Sequence, residues 1–308
     1  MLLDIVIVAR DDGYEPGYAR RMQLCLASIS STFKGSSSRL ILVNYNPPIG
    51  SEPIDRFIPK GMTAEVVTVS PEMHQDILDR HEKAGAQIWR ASSQVRWSDV
   101  RPRIGYLWNY GCNFGLEKAS ADYVCFMNTD TIVPAPVASV LDMLYPGRII
   151  HAPVRYGTQD GAEADFKGVL SGHIPEEWAY RNEDAWGTGI GSFTCIRRNH
   201  AAEFGGLLPY LMPRSKRTDT MLSYFASAYG YETYIPDFDV IDLDHPKVKP
   251  FSWTNYTVNT FSFSGMSSRL TEWLHANRTG MVTRPASMRI RAKRGWADKL
   301  SSSLACVR

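Results

Sequence analysis

The acidic residue whose position most strongly suggests a functional role is Asp130, in the sequence Asn128-Thr129-Asp130. It directly follows Tyr123–Met127, a short continuous apolar run typical of a strand covered on both faces. A carboxylate at the end of such a strand is a suitable ligand for Mg²⁺ or Mn²⁺, which bind oxygen atoms. The alternative is an aspartate that caps a local turn.

Two residues later in the chain could belong to the same functional site as Asp130. Asp219 lies at the start of a predicted helix, where aspartate is a favoured N-cap. His245 follows an apolar strand, and a neutral imidazole there could complete a metal site. Asp242 and Asp244 are alternative ligands in the same stretch.

The elements that must position these residues alternate between strand and helix. Strands are predicted at 3–9, 40–43, 64–69 and 123–127, and helices at 17–33 and 105–119. Such alternation predicts a parallel, doubly wound α/β sheet with right-handed crossovers. An acid at the carboxyl edge of such a sheet lies where these sheets bind ligands.

The rest of the chain gives weaker signals. We expect helix over 71–100, a strand at 149–154, a long loop over the site at 157–183, a strand at 192–198, a helix at 219–229, strands at 234–236 and 240–243, and short helices after 250.

The pattern Asn113-x-Gly115, then Ala-Asp-Tyr, an apolar strand and Asn128-Thr129-Asp130, resembles nucleotide-sugar-dependent glycosyltransferases of the GT-A fold, especially the inverting family 2. The resemblance covers roughly residues 1–246. It implies an α/β, Rossmann-like, mostly parallel sheet flanked by helices. The glycosyltransferase domain would span 1–250, with a nucleotide-sugar half (1–134) and an acceptor half (135–250), followed by a basic helical extension (251–308).

The resemblance also implies roles. Asp130 and His245 would hold a Mn²⁺ or Mg²⁺ ion against the two phosphates of a nucleoside-diphosphate sugar, with a UDP-sugar favoured. Asp219 would be the catalytic base for an acceptor hydroxyl on a glycan, lipid or other molecule. Asn128 and Thr218 depart from the family pattern, since relatives carry acids there.

Further contacts are implied for both substrates. The donor would be bound by Ala9, Arg10, Asp12, Asn44, Arg101, Arg103, Asn109, Asn113, Asn128 and Thr129. The acceptor would be bound by Trp186, Gly191 and Ser192, near a glycine-rich stretch. We also expect Tyr45 to be able to stack on the base.

Two other functions remain open from the sequence. A sugar nucleotidyltransferase would share the nucleotide-binding sheet, but it would need a Gly-rich, Arg- and Lys-containing signature that Ala9-Arg10-Asp11-Asp12-Gly13 does not supply. A catalytically silent glycan- or nucleotide-binding module would be consistent with the weakened positions Asn128 and Thr218.

Charge is unevenly distributed. Residues 269–308 carry nine Lys/Arg and two Asp/Glu, whereas the remainder carries 25 and 30. This predicts an anionic partner for the C-terminal segment, such as a membrane surface or a nucleic acid.

The expected location is cytoplasmic and peripheral at the membrane. The first residues read as a strand and not as a signal peptide, and no apolar run is long enough to span a bilayer. The five scattered cysteines favour a reducing compartment.

Overall fold

The computed structural model describes residues 2–11, 17–83, 87–90, 93–95, 98, 101, 105–179, 192–203, 222, 226, 231–244 and 256–259. Within these ranges the chain forms a mixed α/β structure with one seven-stranded sheet and two three-stranded sheets. No helix in the described ranges is long and apolar enough to cross a membrane.

The strands are β1 (Leu3–Ala9), β2 (Ser38–Tyr45), β3 (Ala64–Val69), β4 (Gln87–Arg90), β5 (Ser93–Val95), β6 (Tyr123–Met127), β7 (Thr131–Ile132), β8 (Arg148–His151), β9 (Val154–Thr158), β10 (Phe193–Arg197), β11 (Glu232–Tyr234), β12 (Val240–Asp244) and β13 (Tyr256–Asn259).

The α-helices are α1 (Tyr18–Thr32), α2 (Pro71–Lys83), α3 (Trp108–Lys118), α4 (Val140–Met143), α5 (Gln159–Ala164), α6 (Phe166–Leu170) and α7 (Arg198–Glu203). Two 3₁₀ turns cover Ile54–Phe57 and Ala135–Ser139.

The large sheet has the strand order β11-β8-β10-β6-β1-β2-β3. β1, β2, β3 and β6 run parallel, β11 is parallel to β8, and β10 is antiparallel to both of its neighbours. The start of β10 therefore lies at the same edge as the end of β6, where Phe193 pairs with Met127. The expected mostly parallel sheet flanked by helices is confirmed.

The apolar character of β1 is explained by cover on both faces. Leu3, Ile5 and Ile7 point into one hydrophobic cluster with α1. Val6 and Val8 point into another with α3. Because side chains alternate along a strand, a strand packed between two helices is apolar over most of its length.

Glycine brings α3 close to the sheet. A Cβ atom at Gly111 would lie 2.3 Å from Val8 Cγ1, and one at Gly115 would lie 2.3 Å from Val6 Cγ1. The side of α3 that carries these two glycines therefore faces β1.

Several sequence predictions need correction. The 71–100 segment is not one helix: after α2 its described residues form the strands β4 and β5, and Ser98 is helical again. The expected loop at 157–183 begins within β9 and contains α5 and α6, with Trp178 buried against Gly157 and Gly161. Beyond residue 250, the described part is a strand, β13, which pairs with β4, and the other expected helices there lie outside the described residues.

Candidate functional site

Three parallel strands bring polar residues to one edge of the large sheet. β1 ends before Arg10, β2 ends near Asn46, and β6 ends before Asn128. Because the three strands run in the same direction, these positions lie at a common edge. The carboxyl edge at which the sequence analysis expected Asp130 therefore also carries Arg10 and Asn46.

Arg10 is held tightly at this edge. Its Nε donates a hydrogen bond to the backbone oxygen of Asn46 at 2.9 Å, and its backbone N–H donates to the Tyr18 hydroxyl at 3.1 Å. Its guanidinium occupies the space above Gly105, where a Cβ atom would lie 1.9 Å from Nη1. The lack of a side chain at Gly105 thus makes room for the Arg10 guanidinium.

Asn46 is a residue that the sequence analysis missed. Its φ of 47° lies in the left-handed region, which asparagine tolerates better than most residues. Its N–H donates to Val69 O at 2.7 Å and its Nδ2 donates to Gly105 O at 2.8 Å. Asn46 therefore joins the ends of β2 and β3 to the segment before α3, and an asparagine preceding two prolines was the available signal.

Each residue of the 128–130 segment is held by a different neighbour. The Cys25 thiol donates to Asn128 O at 3.6 Å, and the side chains of Tyr18 and Thr129 are hydrogen-bonded. The backbone oxygen of Asp130 accepts from Leu243 N at 2.9 Å. The segment is thus fixed by α1 on one side and by β12 on the other.

Burial also affects the two groups from α1. Desolvation, followed by the nearby Asp130 carboxylate, raises the pKa of the Cys25 thiol far above its usual value. Desolvation also raises the pKa of Tyr18, although its hydrogen bonds with Arg10 and Thr129 act in the opposite direction. Both groups therefore remain protonated at neutral pH.

A buried carboxylate, Asp242, is hydrogen-bonded to residues next to the 128–130 segment. Its Oδ1 accepts from Thr131 Oγ1 at 2.7 Å, and its Oδ2 accepts from Ser192 Oγ at 2.5 Å. Ser192 Oγ in turn accepts from Asn128 Nδ2 at 3.4 Å. Asp242 therefore links β12 to residues beside β6 and β10.

The structure corrects the role expected for Ser192. Its side chain is fully buried and its hydroxyl is engaged by Asp242 and Asn128. It therefore cannot contact an acceptor as predicted, because no surface of it reaches solvent.

Tyr45 is also corrected. It is fully buried, its hydroxyl is hydrogen-bonded to His74 Nδ1 at 3.0 Å, and its ring meets that of Tyr106 edge-on at 5.8 Å. No face of this ring is left for a nucleotide base.

Three residues that were predicted to contact the donor lie within the described ranges, and they differ in how accessible their side chains are. Ala9 is buried and pairs with Asn44 across the β1–β2 ladder, so Ala9 offers only its backbone. Asn44 is half-buried. Arg101 is ion-paired with Asp79 and Glu82 of α2, so its contact with a phosphate remains a prediction.

Asn109 and Asn113 lie one turn apart on α3, as expected. They are two positions from Gly111, which is about 200° around a helix. Because Gly111 faces β1, both asparagines leave the helix on the side away from that strand. Their contact with a donor remains a prediction.

The other predicted residues lie outside the described residues: Asp12, Arg103, Trp186, Gly191, Asp219 and His245.

The side-chain oxygen atoms of the 128–130 segment are suitable ligands for a hard metal cation. Asp130 offers a carboxylate, Asn128 an amide oxygen and Thr129 a hydroxyl, and Mg²⁺ and Mn²⁺ prefer oxygen ligands. Within the described ranges, no group of three or more His, Cys, Asp or Glu side chains could hold a metal ion. A cation here would therefore be completed by ligand oxygens and by residues beyond these ranges.

No protein-family model matches the sequence, and no curated protein matches it. Several solved structures are similar to this chain. Mannosyltransferase PcManGT from Pyrobaculum calidifontis, in complex with GDP-Man and Mn²⁺, is 13% identical with a TM-score of 0.47, over 80% of this chain and 57% of that one.

Two further structures are similar at the same level. S. aureus TarS in complex with UDP-GlcNAc is 9% identical with a TM-score of 0.48, over 100% of this chain and 82% of that one. Glucosyl-3-phosphoglycerate synthase from Mycobacterium tuberculosis, in complex with Mg²⁺ and UDP, is 15% identical with a TM-score of 0.42, over 80% and 72%.

The chain spans less than two thirds of the length of the mannosyltransferase. The functional proposal therefore rests on the residues of this chain.

Proposed function

We propose that this protein is a metal-dependent, inverting glycosyltransferase that moves a sugar from a nucleoside-diphosphate donor, with a UDP-sugar favoured, to a hydroxyl of a glycan, a lipid or another acceptor. The observation that carries the proposal is the meeting of Arg10, Asn46 and the 128–130 segment at the carboxyl edge of parallel strands. This edge combines a fixed cation with oxygen ligands, which is what a diphosphate and its counter-ion require.

Arg10 would offset the charge of the diphosphate. Its guanidinium is kept in place by Asn46 O and by the gap at Gly105, so little side-chain freedom is lost when a phosphate binds. α3 begins at the same edge, and the positive end of a helix dipole favours an anion there.

The oxygen atoms of Asn128, Thr129 and Asp130 would hold Mn²⁺ or Mg²⁺. When bound, such an ion stabilises negative charge on the departing diphosphate. The chain's own contribution is to hold the Thr129 side chain through Tyr18 and the backbone of the segment through Cys25 and Leu243.

By resemblance, Asp219 would accept the proton of the acceptor hydroxyl, His245 would be a further metal ligand, and Trp186 and Gly191 would contact the acceptor. We expect Asp219→Asn to retain donor binding and to lose transfer, because the amide cannot accept the proton. Transfer at an unchanged rate would refute that role.

The proposal is tested by titrating nucleoside diphosphates and their sugars into the protein with and without Mn²⁺, using thermal shift, and by assaying donor hydrolysis. Bound ligand should raise the melting temperature in proportion to affinity. Asp130→Asn should abolish the Mn²⁺-dependent part of both signals and leave the melting temperature of the free protein nearly unchanged, since Asp130 is only half-buried.

A binding module is the second candidate, favoured by the amide of Asn128 in place of an acid. It would show the thermal shift and no hydrolysis at any enzyme concentration. No shift with any nucleotide would reject the glycosyltransferase and a nucleotide-binding module.

A further inference from the structure

The sequence analysis offered Asp242 as an alternative metal ligand, but it is 6% exposed and each of its oxygens accepts a hydroxyl hydrogen bond inside the protein. One hydroxyl belongs to Thr131, which directly follows the 128–130 segment and pairs with Asp242 across the β7–β12 ladder. The other belongs to Ser192, which is also fully buried.

The direction of these hydrogen bonds follows from the chemistry of the groups. Ser192 Oγ donates its single proton to Asp242 Oδ2, and the carboxylate oxygen accepts it. The lone pairs of Ser192 Oγ then remain to accept, and the atom of Asn128 that faces them is Nδ2, at 3.4 Å.

The orientation of the Asn128 amide follows in turn. With Nδ2 turned towards Ser192, the carbonyl oxygen of Asn128 is turned away from Ser192. The backbone beside it is fixed independently, because Leu243, the neighbour of Asp242, donates to Asp130 O at 2.9 Å.

We propose that Asp242 is a positioning residue: through Ser192 it orients the Asn128 amide so that its oxygen, and not its NH₂ group, is presented to the cation of the donor. This rests on the proposed function, because it names Asn128 as an oxygen ligand. It also explains how an amide serves where the family pattern has an acid.

The first test is Asp242→Asn. When the oxygen of the new amide keeps the hydrogen bond from Thr131, its NH₂ group faces Ser192 Oγ. In that arrangement Ser192 donates towards Asn128, and the Asn128 amide turns over and directs its NH₂ group towards the cation. We expect Mn²⁺ affinity in the presence of UDP to fall about 10- to 100-fold, as for other residues that orient metal ligands.

The second test reverses the whole hydrogen-bond chain. In the double variant Asn128→Asp with Asp242→Asn, the amide at 242 donates to Ser192, and Ser192 donates to the new carboxylate at 128. The second carboxylate oxygen then takes the place of the amide oxygen. We expect the double variant to recover at least tenfold of the Mn²⁺ affinity lost in Asp242→Asn.

Thr194→Val is the matched control. It removes another buried hydroxyl from β10, one hydrogen-bonded to His151 Nδ1 at 3.0 Å. Burial lowers the pKa of His151 to about 3, so this pair is neutral, and in the β6–β10 ladder Thr194 pairs with Phe126, inside β6. Thr194→Val should lower the melting temperature and leave Mn²⁺ affinity unchanged.

Mn²⁺ binding is measured by electron paramagnetic resonance and folding by thermal unfolding, on the full chain. The proposal is overturned if Asp242→Asn binds Mn²⁺ like the unaltered chain, if the double variant does not recover, or if Thr194→Val weakens binding equally. If the unaltered chain itself binds neither Mn²⁺ nor UDP, the proposed function fails, and this role fails with it.

Discussion

At the scale of single residues, the site depends on small groups as much as on charged ones. Gly105 carries no chemistry, but the Arg10 guanidinium occupies the space that any side chain there would need. Asn46 accepts from Arg10 and donates to Gly105 O, so the three residues form one unit.

We therefore expect Gly105→Ala to displace the Arg10 guanidinium and to raise the Kd of a nucleoside diphosphate about tenfold or more, with little loss of stability because the end of an arginine side chain can move. Isothermal titration calorimetry measures the affinity. Arg10→Ala should have a similar effect, and the double variant should be no worse than either single one. A further additive loss would show that Gly105 acts by another route.

At the scale of elements, the position of α3 is set by its contact with β1. Gly111 and Gly115 let the helix backbone approach the sheet more closely than any other residue would allow. Since α3 begins beside Arg10 and Asn46, this close packing also sets the position of the start of α3 at the edge proposed to bind the donor.

Gly111→Ala tests this packing. Alanine favours a helix over glycine by up to about 1 kcal/mol, but its Cβ would overlap Val8, and overpacking costs about 1–3 kcal/mol. We expect a net loss of up to about 2 kcal/mol in the free energy of unfolding, measured by urea denaturation. Glu117→Ala, at an exposed position of the same helix, should change it by less than about 0.5 kcal/mol. A stabilised Gly111→Ala would contradict the close contact.

At the scale of the whole molecule, the end of the sheet opposite the site is fixed by a buried ion pair. Asp4 Oδ1 and Oδ2 each accept from Arg39 at 3.0 Å, and Oδ2 also accepts from Ser120 N and Ala121 N. Burial alone would raise the pKa of Asp4, but the hydrogen bonds from Arg39, Ala121 and Ser120 bring it below its usual value.

This lowered pKa gives a pH dependence of known sign. Stability from Asp4 is present above its unfolded pKa of about 3.9 and is lost as pH falls through the lower folded value. We expect Asp4→Asn to cost about 3 kcal/mol near neutral pH, because it breaks a buried pair, and to flatten the loss of stability below about pH 4. Urea denaturation between pH 3 and 7 measures both, and an unchanged acid dependence would contradict the assignment.

The C-terminal charge belongs to the same scale. We propose, from composition alone, that residues 269–308 bind an anionic partner, either a membrane surface or a nucleic acid, and that the protein is cytoplasmic. Removal of 269–308 should leave donor hydrolysis intact and abolish salt-dependent association with anionic vesicles or DNA. Association that persists after removal would assign it to another surface.

The local patterns alone predicted much of the sheet. β1, β3 and β6 were predicted with the observed bounds, and α1 and α3 to within a few residues, because each has an apolar period set by cover on one or both faces. The strand-end rule also placed Asp130 at the carboxyl edge of the sheet. These features follow from short stretches of sequence, and so sequence was sufficient to find them.

Ser192, Tyr45 and Asp242 required the tertiary structure. Ser192 lies beside Asn128 because β10 is antiparallel to β6, so that the start of β10 meets the end of β6. Tyr45 is buried in contact with His74 and Tyr106. Asp242 is more than 100 residues from Asn128 along the chain, and its role follows from a pairing register that no local period encodes. The sequence by itself thus determined which residues could bind a charged ligand, whereas the long-range pairing of strands decided which of them reach it and which hold the others in place.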